Sequence, residues 1–276
     1  MTRVLWTLLL VVLLAAGAWA GTDAKALSTT SPRWTGTFQG DWLRAWGLRP
    51  RGHWGLENTE LAADDTGRFP SVLRVRYPRG SGSPTLSREQ GRVRGGAQFY
   101  ADLGLPPSDA RYLRYAVRFP SGFNFVKGGK LPGLYGGTVN NGRRIPDGTN
   151  GFSTRLMWRT QGDGEVYAYL PTSREHGTSL GRGAWRFIPG RWHVVEQELV
   201  LNTPGRADGR VRVWVDDKLV LERGGLSFRT TGELKIEGIL FSTFFGGQDE
   251  TWATPVDTHV DFAGFAVGRD RRSLRP

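Results

Sequence analysis

An all-β sandwich is the fold class this sequence predicts, and three observations carry it. Short runs rich in β-branched and aromatic residues (71–77, 112–119, 193–201, 211–221, 234–244 and 258–267) are separated by Gly, Pro and Asp at near-regular spacing. Apolar and polar residues alternate within several runs, as half-buried strands require. No long amphipathic helical period interrupts them, and 39 glycines suit tight connections.

Taken in order, residues 1–20 read as an export signal. Arg3 gives the positive n-region, Val4 to Ala16 the apolar run, and Ala18-Trp19-Ala20 a small-x-small cleavage site. A retained anchor is the alternative, since that run approaches spanning length. No later stretch is apolar enough to cross a bilayer. Residues 21–35 have the small, polar composition of a flexible linker. Residues 36–276 make a single domain with ample capacity for a core, its folded part starting near Trp34.

Inside the domain, Leu113, Tyr115, Val117 and Phe119 alternate with Arg114, Ala116 and Arg118. Val211, Val213 and Val215 alternate with Arg210, Arg212 and Trp214. Asp216-Asp217 predicts a hairpin turn, residues 202–209 a loop, and Ser108 to Tyr112 at most a helical turn. There is no internal repeat and no second domain.

The most informative stretch is 123–170. Phe152, Thr154, Leu156 and Trp158 form one mostly apolar set, and Ser153, Arg155, Met157 and Arg159 the other. After a turn, Val166, Ala168 and Leu170 point inward while Glu165, Tyr167 and Tyr169 share the polar face. Opposed residues of an antiparallel pair share a face, so this arrangement requires an odd-numbered loop. Gly162-Asp163-Gly164 predicts three residues with Gly164 left-handed, setting Tyr167 opposite Arg159 and Tyr169 opposite Met157.

Composition narrows the chemistry. Only five of the 37 basic residues are lysines, yet Lys127 and Lys130 sit three apart among glycines. A formal charge of +11 on an exported protein points to a polyanion: acidic polysaccharide, cell-surface polymer or nucleic acid. Arginine richness from genome composition is the bland alternative. The absence of cysteine fits a secreted or periplasmic protein stabilised by its core. His53, His176, His193 and His259 lack ligand spacing, so neither a metal site nor a cofactor is expected. No nucleophile elbow or phosphate loop occurs.

Glycoside hydrolysis needs two facing carboxylates. The candidates Glu165 with Asp163, Glu196 with Glu198, and Asp249 with Glu250 lie in turns, loops or on a solvated face. β-Elimination of a uronic-acid polymer asks for other groups: a cation on the sugar carboxylate, a base for the C5 proton and an acid for the leaving oxygen. Lys130, Arg155, Tyr167, Tyr169 and Ser153 supply them on one face, provided that cationic neighbours lower a phenol pKa.

These residues carry a family resemblance. Lys127-Gly-Gly-Lys-Leu-Pro-Gly-Leu-Tyr-Gly-Gly, Phe152-Ser-Thr-Arg-Leu-Met-Trp-Arg and Gly164-Glu-Val-Tyr-Ala-Tyr-Leu-Pro resemble the signature blocks of polysaccharide lyase family 14, which includes alginate and glucuronan lyases. The resemblance runs from about Phe119 to Val267, through Asn202-Thr-Pro-Gly, Ser242-Thr-Phe-Phe-Gly-Gly, Trp252-Ala-Thr-Pro and Phe262-Ala-Gly-Phe. It implies a β-jelly roll of two antiparallel sheets with a concave substrate groove, and metal-independent lyase action. By motif the essential lysine falls on Lys130, with Lys127 its near neighbour; the strand serine and arginine fall on Ser153 and Arg155, and the tyrosine pair on Tyr167 and Tyr169. Arg155 and Lys130 are then expected on the carboxylate, with Ser153 and Lys127 as further substrate-binding residues. The tyrosines are expected in proton transfer, which of the two is the acid-base being left open, with Lys130 sharing the base role if neighbours depress its pKa. Many members carry cysteines in the loop after Leu-Pro-Gly-Leu; here residues 135–150 have none and include Arg143 and Arg144, which puts substrate preference in question.

The expectation is therefore a secreted, monomeric polyuronate lyase whose partner is acidic polysaccharide, with no nucleic acid and no stable membrane association after signal cleavage. A non-catalytic carbohydrate-binding jelly roll is the alternative, because the fold serves both purposes.

Overall fold

Short strands joined by glycine-rich turns account for nearly all of the architecture. The computed structural model describes residues 33–142 and 144–274; the export-signal segment, most of the linker and Arg143 lie outside the described residues. Along the chain come β1 (Trp34–Gly36), β2 (Thr59–Ala62), β3 (Val72–Tyr77), β4 (Ala97–Asp102) and β5 (Ala110–Arg118). The central group is β6 (Gly128–Gly137), β7 (Gly151–Arg159), β8 (Asp163–Tyr169) and β9 (Thr178–Arg186). The rest are β10 (Trp192–Val200), β11 (Gly209–Val215), β12 (Lys218–Leu226), β13 (Gly238–Phe245) and β14 (Thr258–Gly268). Two short helices, α1 (Trp42–Ala45) and α2 (Pro84–Gln90), were not foreseen; α2 starts on an N-cap Ser83 and ends at a left-handed Gly91.

Two antiparallel sheets result, as the jelly roll requires. One runs β12-β11-β10-β5-β14-β3-β2 with β1 also on β14, and the other β4-β13-β6-β7-β8-β9. Strand β1 begins at Trp34 and pairs antiparallel with the last strand, β14. Between the sheets lies one aromatic-rich core. Phe241 of β13 stacks on Phe99 at 4.5 Å and meets Phe262 of β14 edge-on at 5.0 Å, tying the layers together. Thr154 points into this core and bonds the Gln197 side chain at 3.0 Å, so its buried hydroxyl is satisfied.

The β7–β8 hairpin keeps the expected faces and changes the register. Arg155 pairs with Tyr167, Ser153 with Tyr169 and Met157 with Glu165. The loop closes on the Trp158–Gly164 pair and holds five residues, still an odd number. Gln161 (φ 61°) and Gly162 (φ 84°) take the left-handed conformation expected of Gly164. Gly164 serves packing instead: a Cβ there would lie 1.9 Å from Trp185 Nε1. The Asp216-Asp217 turn is as expected, with φ of 49° and 67°. Residues 108–112 are not helical: Ser108 bridges to Ile236 and β5 follows.

Strand β6 lies between β13 and β7 yet contains Pro132, which has no N–H for the ladder. Leu131 pairs with Leu156 and Gly133 with Arg155, so Pro132 is bulged out as an extra residue. One extra residue reverses the alternation. Tyr135, opposite Ser153, and Lys130, opposite Met157, differ in parity but share a face, while Leu131 and Leu134 both join the core.

Candidate active site

The outer face of the six-stranded sheet forms the floor of a cleft of about 600 Å³. The pairings place Gln98 of β4, Ser242 and Phe244 of β13, Lys130 of β6, Arg155, Met157 and Arg159 of β7, and Tyr167 and Tyr169 of β8 on that floor. Loops cover much of it, so Arg155 and Met157 are buried although they line the cleft. Burial of the polar face is the main difference from the solvated face expected from alternation alone.

Lys130 sits at the centre. Its Nζ lies 3.9 Å from the centroid of the Tyr167 ring and donates to Met157 Sδ at 2.8 Å. Burial, then the positive charges of Arg155 and Arg159, hold its pKa well below the usual lysine value, against a smaller opposing pull from Glu165. A lysine whose pKa is lowered in this way is better able to accept a proton than an ordinary one.

Arg155 is 2 % exposed. Its Nη1 donates to Ser242 Oγ at 3.0 Å, its Nε has no partner, and no carboxylate pairs with it among the described residues. Burial pushes its pKa down, opposed by Tyr169, Tyr100 and Tyr167. Such a guanidinium is costly to bury alone and is matched to an anion that enters the cleft.

The two tyrosines meet edge to face at 5.7 Å. Tyr169 donates to Gly142 O at 2.7 Å. Burial, then Tyr169, pushes Tyr167 up to about 12, outweighing Arg155 and Arg159. The lowered phenol pKa expected from cationic neighbours is therefore corrected for Tyr167: desolvation wins, and the phenol keeps its proton. Gly177 lies against both rings, where a Cβ would fall within 2.7–2.9 Å of them.

Not every expected residue reaches the cleft. Ser153 is fully buried and donates to Asn140 O at 2.6 Å, holding the loop that receives Tyr169. Lys127 is exposed, bonds Thr251 and does not line the cleft. Residues not singled out also appear there: Met157 and Arg159, both visible in the odd set of β7, and Trp54 and Trp252, which had no periodic signal. His176 and Gln248 line the cleft and contact each other.

Among the described cleft-lining residues Asp249 is the one carboxylate, and it accepts from the Thr251 N–H at 2.9 Å. Glu165 is buried and accepts from Arg159 Nε at 2.8 Å, Ser179 at 3.1 Å and Arg182 Nε at 3.0 Å, so it orients Arg159. Asp163 pairs with Arg186, and Glu196 with Arg271 on the other sheet. The two facing, unpaired carboxylates that hydrolysis needs are not among the described cleft residues.

Comparison with solved structures gives the same architecture. The marine alginate lyase of Aplysia kurodai is 32 % identical with a TM-score of 0.75, covering 88 % of this chain and all (100 %) of its own. The alginate lyase vAL-1 of a Chlorella virus is 23 % identical (TM-score 0.70, covering 82 % of this chain and 94 % of its own). The endo-β-1,4-glucuronan lyase of the fungus Trichoderma reesei is 12 % identical (TM-score 0.58, 88 % and 97 %). Among curated proteins none matches. The model of the family Polysaccharide lyase 14 matches residues 65–265, which span β3 to β14 and carry Lys130, Arg155, Tyr167 and Tyr169. With most of the chain matched and these four side chains meeting in one cleft, the protein belongs to polysaccharide lyase family 14 and is a polysaccharide lyase.

Proposed function

We propose that the cleft binds a uronic-acid polymer of the alginate or polyglucuronate type and cleaves it by β-elimination, with Arg155 rather than a metal ion neutralising the sugar carboxylate. The observation that carries this reading is the buried Arg155 guanidinium with no carboxylate partner among the described residues, beside a lysine of depressed pKa. The relatives named above, lyases of alginate or glucuronan, support the same substrate class.

With the carboxylate on Arg155, the C5–H bond becomes acidic. Lys130 Nζ takes the C5 proton, the electron pair forms the C4=C5 double bond, and the C4–O4 bond breaks. Tyr167, still protonated, is the donor for O4; Tyr169, bonded to Gly142 O, holds the loop and the neighbouring ring. Roles thus divide between the lysine as base and the tyrosine as acid. We place the enzyme outside the cytoplasm as a monomer, with the 1–20 segment supporting export.

The test follows ultraviolet absorbance of the C4=C5 bond with polyglucuronate, polymannuronate, polyguluronate and hyaluronan, each with chelator present. A rise with a polyuronate is expected. Absence of any rise, or its abolition by chelator, contradicts the reading.

The acid limb of the pH profile of kcat/KM reports the free base. It is expected below the ordinary lysine pKa, since Lys130 is depressed. Arg159 is one of the charges that depress it, so Arg159→Gln raises the Lys130 pKa and moves the limb to higher pH. An unmoved limb in that variant assigns the base elsewhere.

A further inference from the structure

Beyond the catalytic residues, the cleft continues past β13 and β4 to a segment that the family match does not include. Trp54 lies ahead of residues 65–265 and is bridged antiparallel to Gln98 at the outer edge of β4, with backbone bonds of 2.9 Å in both directions. It therefore acts as one more strand position on the floor, three strand spacings from Lys130, or about 14 Å. Its side chain is partly buried and lines the cleft, supported by Phe244 at 5.6 Å. The exposed Arg94 guanidinium lies 5.8 Å from that ring and makes no ion pair among the described residues. Between this end and the reacting centre runs a polar line: Arg155 donates to Ser242, and Ser242 to Gln98 at 3.2 Å.

An indole lining the cleft, with a guanidinium over its ring at the cleft margin and on the same floor as Arg155, suits a uronate residue further along a polyuronate chain. We infer that Trp54 and Arg94 form a distal subsite for one hexuronate residue, the indole taking the apolar face of the sugar ring and the guanidinium its carboxylate. This inference rests on the uronate reading of the same cleft. Arg94 is the electrostatic half and Trp54 the apolar half, so the two are separable by salt.

The experiment uses the full protein with Trp54→Ala and Arg94→Gln, assayed on uronate oligosaccharides of increasing length and on polymer. The expected result is a deficit in kcat/KM that grows with chain length to about tenfold on polymer. In Arg94→Gln the deficit should shrink as salt rises. Equal deficits at every length, or none, overturn the subsite. Affinity electrophoresis in gels containing the polymer gives a readout independent of cleavage. Retardation reduced in both variants supports the subsite even where no double bond forms, an outcome that removes only the lyase mechanism. Retardation unchanged in the variants, or absent in the wild type, removes the subsite.

Discussion

Lys130→Ala is expected to lower kcat/KM on the cleaved polyuronate about 10³-fold, within the range for loss of a general base. The substitution removes the only lysine among the described cleft-lining residues, and its neighbours Met157 and Tyr167 are already packed, so the fold should persist. Polymer retardation in affinity electrophoresis, retained in this variant, separates lost chemistry from lost binding. Lys127→Ala is the matched control: its exposed ammonium lies against Thr251, outside the cleft, and its effect should stay within about twofold. Comparable losses in both variants would assign the basic group wrongly.

Arg155→Met is expected to move activity and stability in opposite directions. Activity falls about 10²–10³-fold, because charge developing on the carboxylate in the transition state loses its preorganised partner. Stability rises by about 1–3 kcal/mol, because a buried cation with an unbonded Nε is replaced by an apolar side chain of similar length. Urea denaturation beside the ultraviolet assay reads both. A variant that loses activity and stability together would make Arg155 a structural residue. Arg155→Lys is not expected to rescue, since a single ammonium does not present a planar fork to both Ser242 and a carboxylate.

Alternation was the dependable part of the sequence. It assigned faces in β5, β7, β8 and β11 correctly, because a period of two survives any loop of odd length. It failed on register where two roles of glycine look alike. Gly164 is a glycine for the Trp185 ring, and the left-handed positions fall on Gln161 and Gly162. It also gave no warning that loops would bury the polar face, and burial reverses the direction expected for Tyr167. Ser153 followed from the same parity as Arg155, yet its hydroxyl is spent on the backbone of Asn140. Trp54 was silent because an isolated bridge has no period to read.

The extra proline of β6 has a consequence for comparing chains of this kind. Residues 128–131 are phased against 133–137 by that single insertion, so position along the strand no longer tells inside from outside. A one-residue gap placed there in an alignment exchanges the amine of Lys130 with the isobutyl group of Leu131, whereas a gap of two leaves both where they are. Length between Leu131 and Gly133, rather than the identity of the residue at 132, is then the quantity on which a lysine in this cleft depends.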